Sequence, residues 1–329
     1  MLKRQKPRIA VVIPCYKVSH HILDVISKIG DDVWRIYVID DACPDKSGAY
    51  VEKNCFDTRI HVIYHKINLG VGGAVLTGYS IAIGDGADII VKIDGDGQMD
   101  ATLIPYFINP IILGMADYTK GNRFFDIEKV TSMPKARLLG NAILSLMTKI
   151  SSGYWDLFDP TNGYTAIHSD IARHLPFEKI SQRYFFETDI LFRLNTIRAV
   201  VIDVPMEAKY GDEISNLKIS KIIVEFSIKH MRNCIKRIFY NYYLRDMSLA
   251  SIELPLGLIF LIVGGWIGIY HWINALKNHI TTPIGTAMLV AMLILIGLQL
   301  VLAFLGQDIA TVPRRPRHDL IQVSPPRIQ

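Results

Sequence analysis

Two stretches near the C-terminus, Leu254 to Ile273 and Ile284 to Leu305, contain no Asp, Glu, Lys or Arg. Each is long enough to cross the roughly 30 Å hydrocarbon core of a bilayer as a helix. The 329-residue chain is 50% hydrophobic with a mean hydropathy of +0.25, and the excess is concentrated in these two runs. Their connection, NALKNHITTP, carries one Lys, whereas Arg237 and Arg245 precede the first run and Arg314, Arg315 and Arg317 follow the second. That bias places both flanks on the cytoplasmic side. The apolar IAVVIP behind the basic first residues is too short for a signal peptide and lacks a cleavage signature. A large cytoplasmic N-terminal region on a two-helix transmembrane hairpin is therefore expected.

Composition narrows the chemistry. Cys15, Cys43, Cys55 and Cys234 form no C-x-x-C pair and have no His at zinc-site spacing, so reduced structural thiols are expected. The net charge of +5 is modest, and the cations gather near the apolar runs, which argues against nucleic acid as a partner. No P-loop, G-x-G-x-x-G or G-x-S-x-G run is present.

The N-terminal half alternates short β-branched runs with helical patterns. RIAVVIP, IYVID, IHVIYH and ADIIVKID read as strands, HHILDVISKIG as a helix between the first two, and NLGVGGAVLTGYSIAIGDG as glycines leading into a helix. This predicts an α/β domain with a parallel-dominated, Rossmann-like sheet, whose ligands bind beyond the carboxyl ends of the strands. The residues there are Cys15 to Lys17, Asp40 and Asp41, Asn68 to Gly73, and Asp94 to Gln98. The last group, in VKIDGDGQMD, places Asp94, Asp96 and Gln98 within five residues. Crowded carboxylates with oxygen-only donors suit Mg2+ or Mn2+ gripping phosphates, although Asp and Gly also crowd ordinary turns.

Between Pro105 and Pro205 the patterning is less regular, with polar and aromatic clusters in GNRF, DPTNGYTAIH and YFFETDILFRL. From Ile219 to Leu244, apolar residues mix with Lys221, Lys229, Arg232, Lys236 and Arg237, the pattern of an amphipathic helix in a membrane interface with its cations on anionic headgroups. His168 and His230 have no partners at ligand spacing and read as packing or surface residues. Gly257, Gly264, Gly265 and Gly268 in the first apolar run make a homo-oligomer through helix packing conceivable.

Five motifs in order, VVIPCYK, VIDDACPDKS, NLGVGGAVLTGY, KIDGDGQMD and GNRF, resemble family 2 glycosyltransferases of the GT-A fold, and within them the polyprenyl-phosphate glycosyltransferases. The resemblance covers roughly Ile9 to Leu217 and divides the chain into a GT-A domain (1–217), amphipathic interfacial helices (218–250), two transmembrane helices (251–306, about 254–273 and 284–305) and a basic cytoplasmic tail (307–329). It implies an inverting transfer of sugar from a nucleotide-sugar donor, with a UDP-sugar favoured, to polyprenyl phosphate at the cytoplasmic leaflet of a bacterial or archaeal inner membrane. Pro14, Tyr16, Asp40, Asp41, Asn68, Gly70, Asp94, Gly95 and Lys209 are then expected on the donor, and Asp94, Asp96 and Gln98 on the metal. Arg123 and Arg137 resemble the pair that receives the acceptor phosphate, while Glu187 and Asp189 fall where family 2 enzymes place catalytic carboxylates. The remaining alternatives are extension of a lipid-linked glycan or polysaccharide, although no Q-x-x-R-W is present, and a non-catalytic membrane scaffold.

Overall fold

A computed structural model describes residues 6–125, 135–207 and 219–318, with side chains from 138 and 224 onward in the helices that follow the two internal gaps. The chain forms two compact units, Met1–Cys234 together with Pro313–Gln329, and Ile235–Val312.

The first unit is built on seven strands, β1 (Ile9–Cys15), β2 (Val33–Asp40), β3 (Ile60–Tyr64), β4 (Ile89–Lys92), β5 (Tyr118–Asn122), β6 (Thr165–His168) and β7 (Val201–Pro205). Their order is β3-β2-β1-β4-β6-β5-β7, with only β6 antiparallel to its neighbours. β1 is an interior strand and reads IAVVIPC because both of its faces are covered. Ile9, Val11 and Ile13 enter a core with Ile22, Val25, Phe107 and Ile111, contributed by α1 (Ile22–Ser27) and α4 (Ile104–Ile112). Val12 points to the other face, where α3 (Val71–Gly84) crosses so closely that a Cβ at Gly78 would collide with the Val12 side chain. Each such buried aliphatic side chain stabilises the fold by about 1.5–3 kcal/mol relative to exposure. Phe107 of α4 stacks on Tyr164 at 3.8 Å between ring centroids, which ties α4 to the entry of β6.

Among the described residues this unit also holds α2 (Ser47–Asn54), α5 (Lys135–Ser152), α6 (Ser169–Arg173) and α7 (Phe186–Thr196). α8 (Ile219–Phe239) runs out of it into the second unit. The tail was expected to be a basic extension, but Arg317 and His318 return to the sheet. Buried Asp117 accepts hydrogen bonds from the backbone N–H groups of Val200, Arg317 and His318, and its Oδ1 lies 2.7 Å from His318 Nδ1. His318 stacks on His168 at 4.4 Å, so His168 is a packing residue.

The second unit holds α9 (Ala250–Asn278) and α10 (Ile284–Ala310), each longer than the charge-free run within it and both long and apolar enough to cross a membrane. Most of the small residues of α9 are used within this hairpin. A Cβ at Gly257 would lie 3.0 Å from Gly297 O, one at Gly264 2.9 Å from Leu293 Cβ, and one at Gly268 3.0 Å from Val290 Cγ1. Only Gly265 of the four faces open space. Arg237, expected on a lipid headgroup, is instead buried and forks onto Asp308 at 2.6 and 2.9 Å, with the Tyr242 hydroxyl donating to the same carboxylate. An unpaired guanidinium at this depth is costly, and the bidentate carboxylate offsets that cost.

Candidate active site

The carboxyl ends of β4, β5 and β7 converge on one cleft. Asp94, Asp96, Gln98 and Met99 line it after β4, Arg123 after β5, Met206 after β7, Thr161 to Gly163 before β6, and Glu187 from the first turn of α7. The D-G-D segment is a turn that also lines the cleft. Asp96 Oδ1 accepts from Gln98 N at 3.0 Å and Gly97 has φ +80, while both carboxylates still face the cleft. Gly95 is packed against Ile13, Val18 and Ile22, so it sets the backbone of the turn instead of presenting a ligand surface.

Beneath the carboxylates lie two lysines that sequence reading missed. Lys92, the last residue of β4, is 1% exposed with its Nζ 2.7 Å from Asp94 Oδ1 and 3.7 Å from Glu187 Oε1. Burial disfavours its charge, but Asp94 and then Glu187 outweigh it and hold the ammonium above its ordinary pKa. Lys120 of β5 is fully buried and donates to Asn162 O, and burial pushes its pKa down to about 8. The signal in the sequence was a lysine within each of two otherwise strand-like runs, IIVK and YTKGN. A buried lysine is rare unless it is paired.

Asn162 and Gly163 shape the opposite wall. A Cβ at Gly163 would sit 2.5 Å from Lys92 Nζ and 2.8 Å from Asp94 Oδ2, so only glycine lets this loop close over the ion pair. Arg123 is anchored by fully buried Asp159, with Nε 2.7 Å from Oδ2 and Nη2 3.1 Å from Oδ1. The fork fixes the guanidinium plane beside the cleft and gives Asp159, in DPTNGY, the role of positioning it.

The other expected donor residues separate from this cleft. Asp40 and Asp41 are each 3% exposed and organise loops. Asp40 accepts from Cys43 N and Gly48 N, both at 2.7 Å, which fastens the turn into α2. Asp41 accepts from Leu69 N and Gly70 N at 2.8 and 2.7 Å and contacts His65 Nδ1, while Asn68 Nδ2 donates to Asp41 O. Gly70 has φ +91, and a Cβ there would lie 2.8 Å from Gln182 O. The first turn of α3 is likewise closed, because Gly73 N donates to Gln182 O. The glycines therefore serve close packing on residues 181–183. Tyr16 is 47% exposed at the end of β1, with half-buried Pro14 two residues before it.

Asp189 is not among the residues lining the cleft: it is buried, accepting from Ser181 N at 2.8 Å and Asn233 Nδ2 at 3.0 Å. Glu187, two residues earlier on α7, reaches the cleft. Lys209 and the side chain of Arg137 lie outside the described residues.

For a divalent cation, the donor set fits. Asp94 and Asp96 line one cleft with Gln98, an oxygen-donor set of two carboxylates and an amide; among the described residues no cluster of three or more His, Cys, Asp or Glu is present, here or elsewhere. Two carboxylates leave coordination positions for phosphate oxygens and water, as magnesium or manganese prefers. The fold and cleft define a GT-A-like α/β domain with an acidic strand-end site, followed by an apolar helical hairpin.

Residues 10–175, half of the chain, match the family described as glycosyl transferase family 2. The chain belongs to that family. It is 28% identical over 203 residues to an undecaprenyl-phosphate mannosyltransferase of Micrococcus luteus, covering 60% of this chain and 82% of that one. It is 26% identical over 234 residues to the UDP-N-acetylglucosamine–dolichyl-phosphate N-acetylglucosaminyltransferase of Methanococcus voltae, covering 67% and 92%. Among solved structures, glucosyl-3-phosphoglycerate synthase from Mycobacterium tuberculosis, in complex with Mn2+, UDP-glucose and phosphoglyceric acid, aligns with a TM-score of 0.52 at 17% identity, covering 70% of this chain and 79% of that one. That likeness speaks to the fold.

Proposed function

We propose that this protein transfers a sugar from a nucleotide-sugar donor, with a UDP-sugar favoured, to polyprenyl phosphate, with inversion at the anomeric carbon. The observation that carries the reading is one cleft holding both an acidic pair, Asp94 and Asp96, and a guanidinium fixed by a buried carboxylate, Arg123 on Asp159. Relatives named for undecaprenyl- and dolichyl-phosphate acceptors support the acceptor class, and the apolar hairpin supports a membrane-held substrate.

The chemistry follows from charge. A lipid monophosphate is already an anionic nucleophile, so the acceptor needs positioning more than a general base. Arg123 holds that phosphate, together with Arg137 at the start of α5. Asp94, Asp96 and Gln98 would hold Mg2+ or Mn2+, which when bound neutralises the diphosphate of the donor. Lys92 keeps the Asp94 carboxylate oriented and sets a fixed positive charge under the site. Glu187 orients the sugar or acceptor from the opposite wall, and Tyr16 with Pro14 frames the nucleotide. The positive flanks of the hairpin support a cytoplasmic-leaflet location for this unit and both termini.

The test is incubation of the purified full chain with undecaprenyl phosphate and a panel of UDP- and GDP-sugars, with lipid products read by mass spectrometry. One donor is expected to yield a polyprenyl-phosphate-sugar of inverted configuration. Transfer only to a preassembled lipid-linked glycan would replace this reading with chain extension.

A further inference from the structure

One row of residues across the sheet is polar where an apolar row would pack without desolvation cost. Lys92 of β4 pairs in register with Thr165 of β6, Thr165 with Lys120 of β5, and Lys120 with Asp203 of β7. Residues paired across neighbouring strands share a face of the sheet. Lys92, Thr165 and Lys120 are 2% exposed or less, and Asp203 Oδ1 is buried without a hydrogen-bond partner among the described residues. Buried charge of this kind is costly unless it holds something in place. Lys92 holds Asp94. Lys120 and Asp203 do not line the cleft, and the transfer chemistry uses neither.

What they hold is the segment that anchors Arg123. Asp159, whose carboxylate forks onto Arg123, lies between their two contacts with the main chain. Phe158 N, directly before it, donates to Asp203 Oδ2 at 2.8 Å, and Asn162 O, just beyond it, accepts from Lys120 Nζ. Asp203 Oδ2 also lies 3.4 Å from Nδ2 of Asn122, the residue before Arg123. Asn162 is braced further, with its Oδ1 accepting from Tyr164 N at 2.9 Å and its Nδ2 3.1 Å from Met206 Sδ. The signs match the tasks, since a carboxylate takes a main-chain N–H and an ammonium gives to a main-chain carbonyl. Burial lowers the Lys120 pKa to about 8 and raises that of Asp203 to about 6, and the charge of each opposes the shift of the other. Both are therefore ionised near neutral pH.

We propose that Lys120, with Asp203 as its counter-charge, is a positioning residue for the acceptor, fixing residues 158–162 and, through Asp159, the guanidinium plane of Arg123. This rests on the reading of Arg123 as a ligand of the acceptor phosphate. A bidentate fork tolerates little displacement, and a shift of about 1 Å in a positioning group can cost about 100-fold in rate. Methionine at 120 would fill the same space yet leave Asn162 O without its donor, so the wall segment would lose one of its two pins. The row thus divides its work: Lys92 serves the donor side through Asp94, and Lys120 serves the acceptor side through Asp159, with Thr165 between them.

The experiment measures steady-state transfer by the full chain in detergent micelles, varying undecaprenyl phosphate and the nucleotide sugar separately. It compares wild type, Lys120→Met, Asp203→Asn, Arg123→Lys and the double variant of Lys120→Met with Arg123→Lys. Lys120→Met is expected to raise the KM for undecaprenyl phosphate on the order of 10-fold, with the KM for the nucleotide sugar and the metal requirement unchanged. Asp203→Asn keeps the size of the side chain and is expected to move the same KM by a smaller factor; it carries the test should the methionine variant unfold. In the Arg123→Lys background Lys120→Met is expected to add nothing, because its effect passes through the guanidinium fork. An unchanged acceptor KM in the folded variants, a parallel rise in the donor KM, or full additivity with Arg123→Lys would overturn the proposal and leave Lys120 a structural residue. Absence of any lipid product from wild type would defeat the transferase reading and this proposal with it, so the two failures are distinguishable.

Discussion

Two aspartate clusters follow two neighbouring regions of one sheet, and they have opposite fates. Asp40 and Asp41, after β2, are buried, and their oxygens are taken by backbone N–H groups of Cys43, Gly48, Leu69 and Gly70. Asp94 and Asp96, after β4, line an open cleft, where Lys92 meets the first and the second accepts from Gln98 N within its own turn. The same residue type at the same kind of position thus fastens loops in one case and lines an open cleft in the other. The difference is what surrounds each carboxylate. Chain returning on itself supplies donors to the first pair, whereas a glycine-bearing wall at Gly163 keeps space beside the second.

That contrast can be broken by substitution. Asp96→Ala is expected to reduce transfer by on the order of 10³-fold, the effect of losing several kcal/mol of charge stabilisation, while the melting temperature barely moves. Turnover within a few fold of wild type would remove Asp96 from the site. Lys92→Met is next: orientation of a ligating carboxylate from behind is typically worth about 10–100-fold in metal affinity or activity. A raised metal requirement, partly relieved by excess manganese, is the signature of positioning. A change confined to stability would make Lys92 a structural residue only.

Asp40→Ala reverses the pattern. Two buried N–H groups lose their acceptor, so thermal unfolding in detergent is expected to show about 1–3 kcal/mol of lost stability, and whatever transfer declines should recover with temperature reduction. Asp40→Ala that keeps its melting temperature but loses nucleotide binding would return this pair to the donor site.

The smallest effect concerns pH. Burial holds folded Lys120 down at about 8 against an ordinary 10.5. Between those values the unfolded chain binds more protons than the native state, so this group makes stability rise with pH from about 8 toward 10.5 and withholds that increment below about 8. Lys120→Met is expected to flatten the alkaline rise in melting temperature. An identical pH profile in wild type and variant would show that Lys120 does not titrate there.

Much of the architecture was legible because periodicity reports burial. The covered interior strand β1 reads as a continuous apolar run, and the charge-free segments read as the hairpin. The acidic turn after β4 was legible as a spacing of chemical groups, and Arg123 through the resemblance of GNRF to the family's motif. What escaped depended on contacts distant in sequence. Asp159 is recognisable as the anchor of Arg123 only once DPTNGY folds beside β5, and Lys120 is recognisable only when Asn162 closes over it. Asp189 and Glu187 sit two residues apart in the same first turn, yet one meets Asn233 of α8 and the other the cleft. Gly70, after β3, was expected on the donor through the resemblance, and it packs closely against Gln182. Arg237 read as a headgroup cation because nothing local announces Asp308.

The most direct measurement is formation of polyprenyl-phosphate-sugar by the reconstituted full chain, followed by mass spectrometry for wild type and Asp96→Ala, each with divalent metal and with chelator. The account predicts a lipid product from wild type that chelator abolishes and that Asp96→Ala fails to make while remaining folded. A product of undiminished yield from Asp96→Ala, or no product from wild type that still binds the nucleotide sugar, would contradict it.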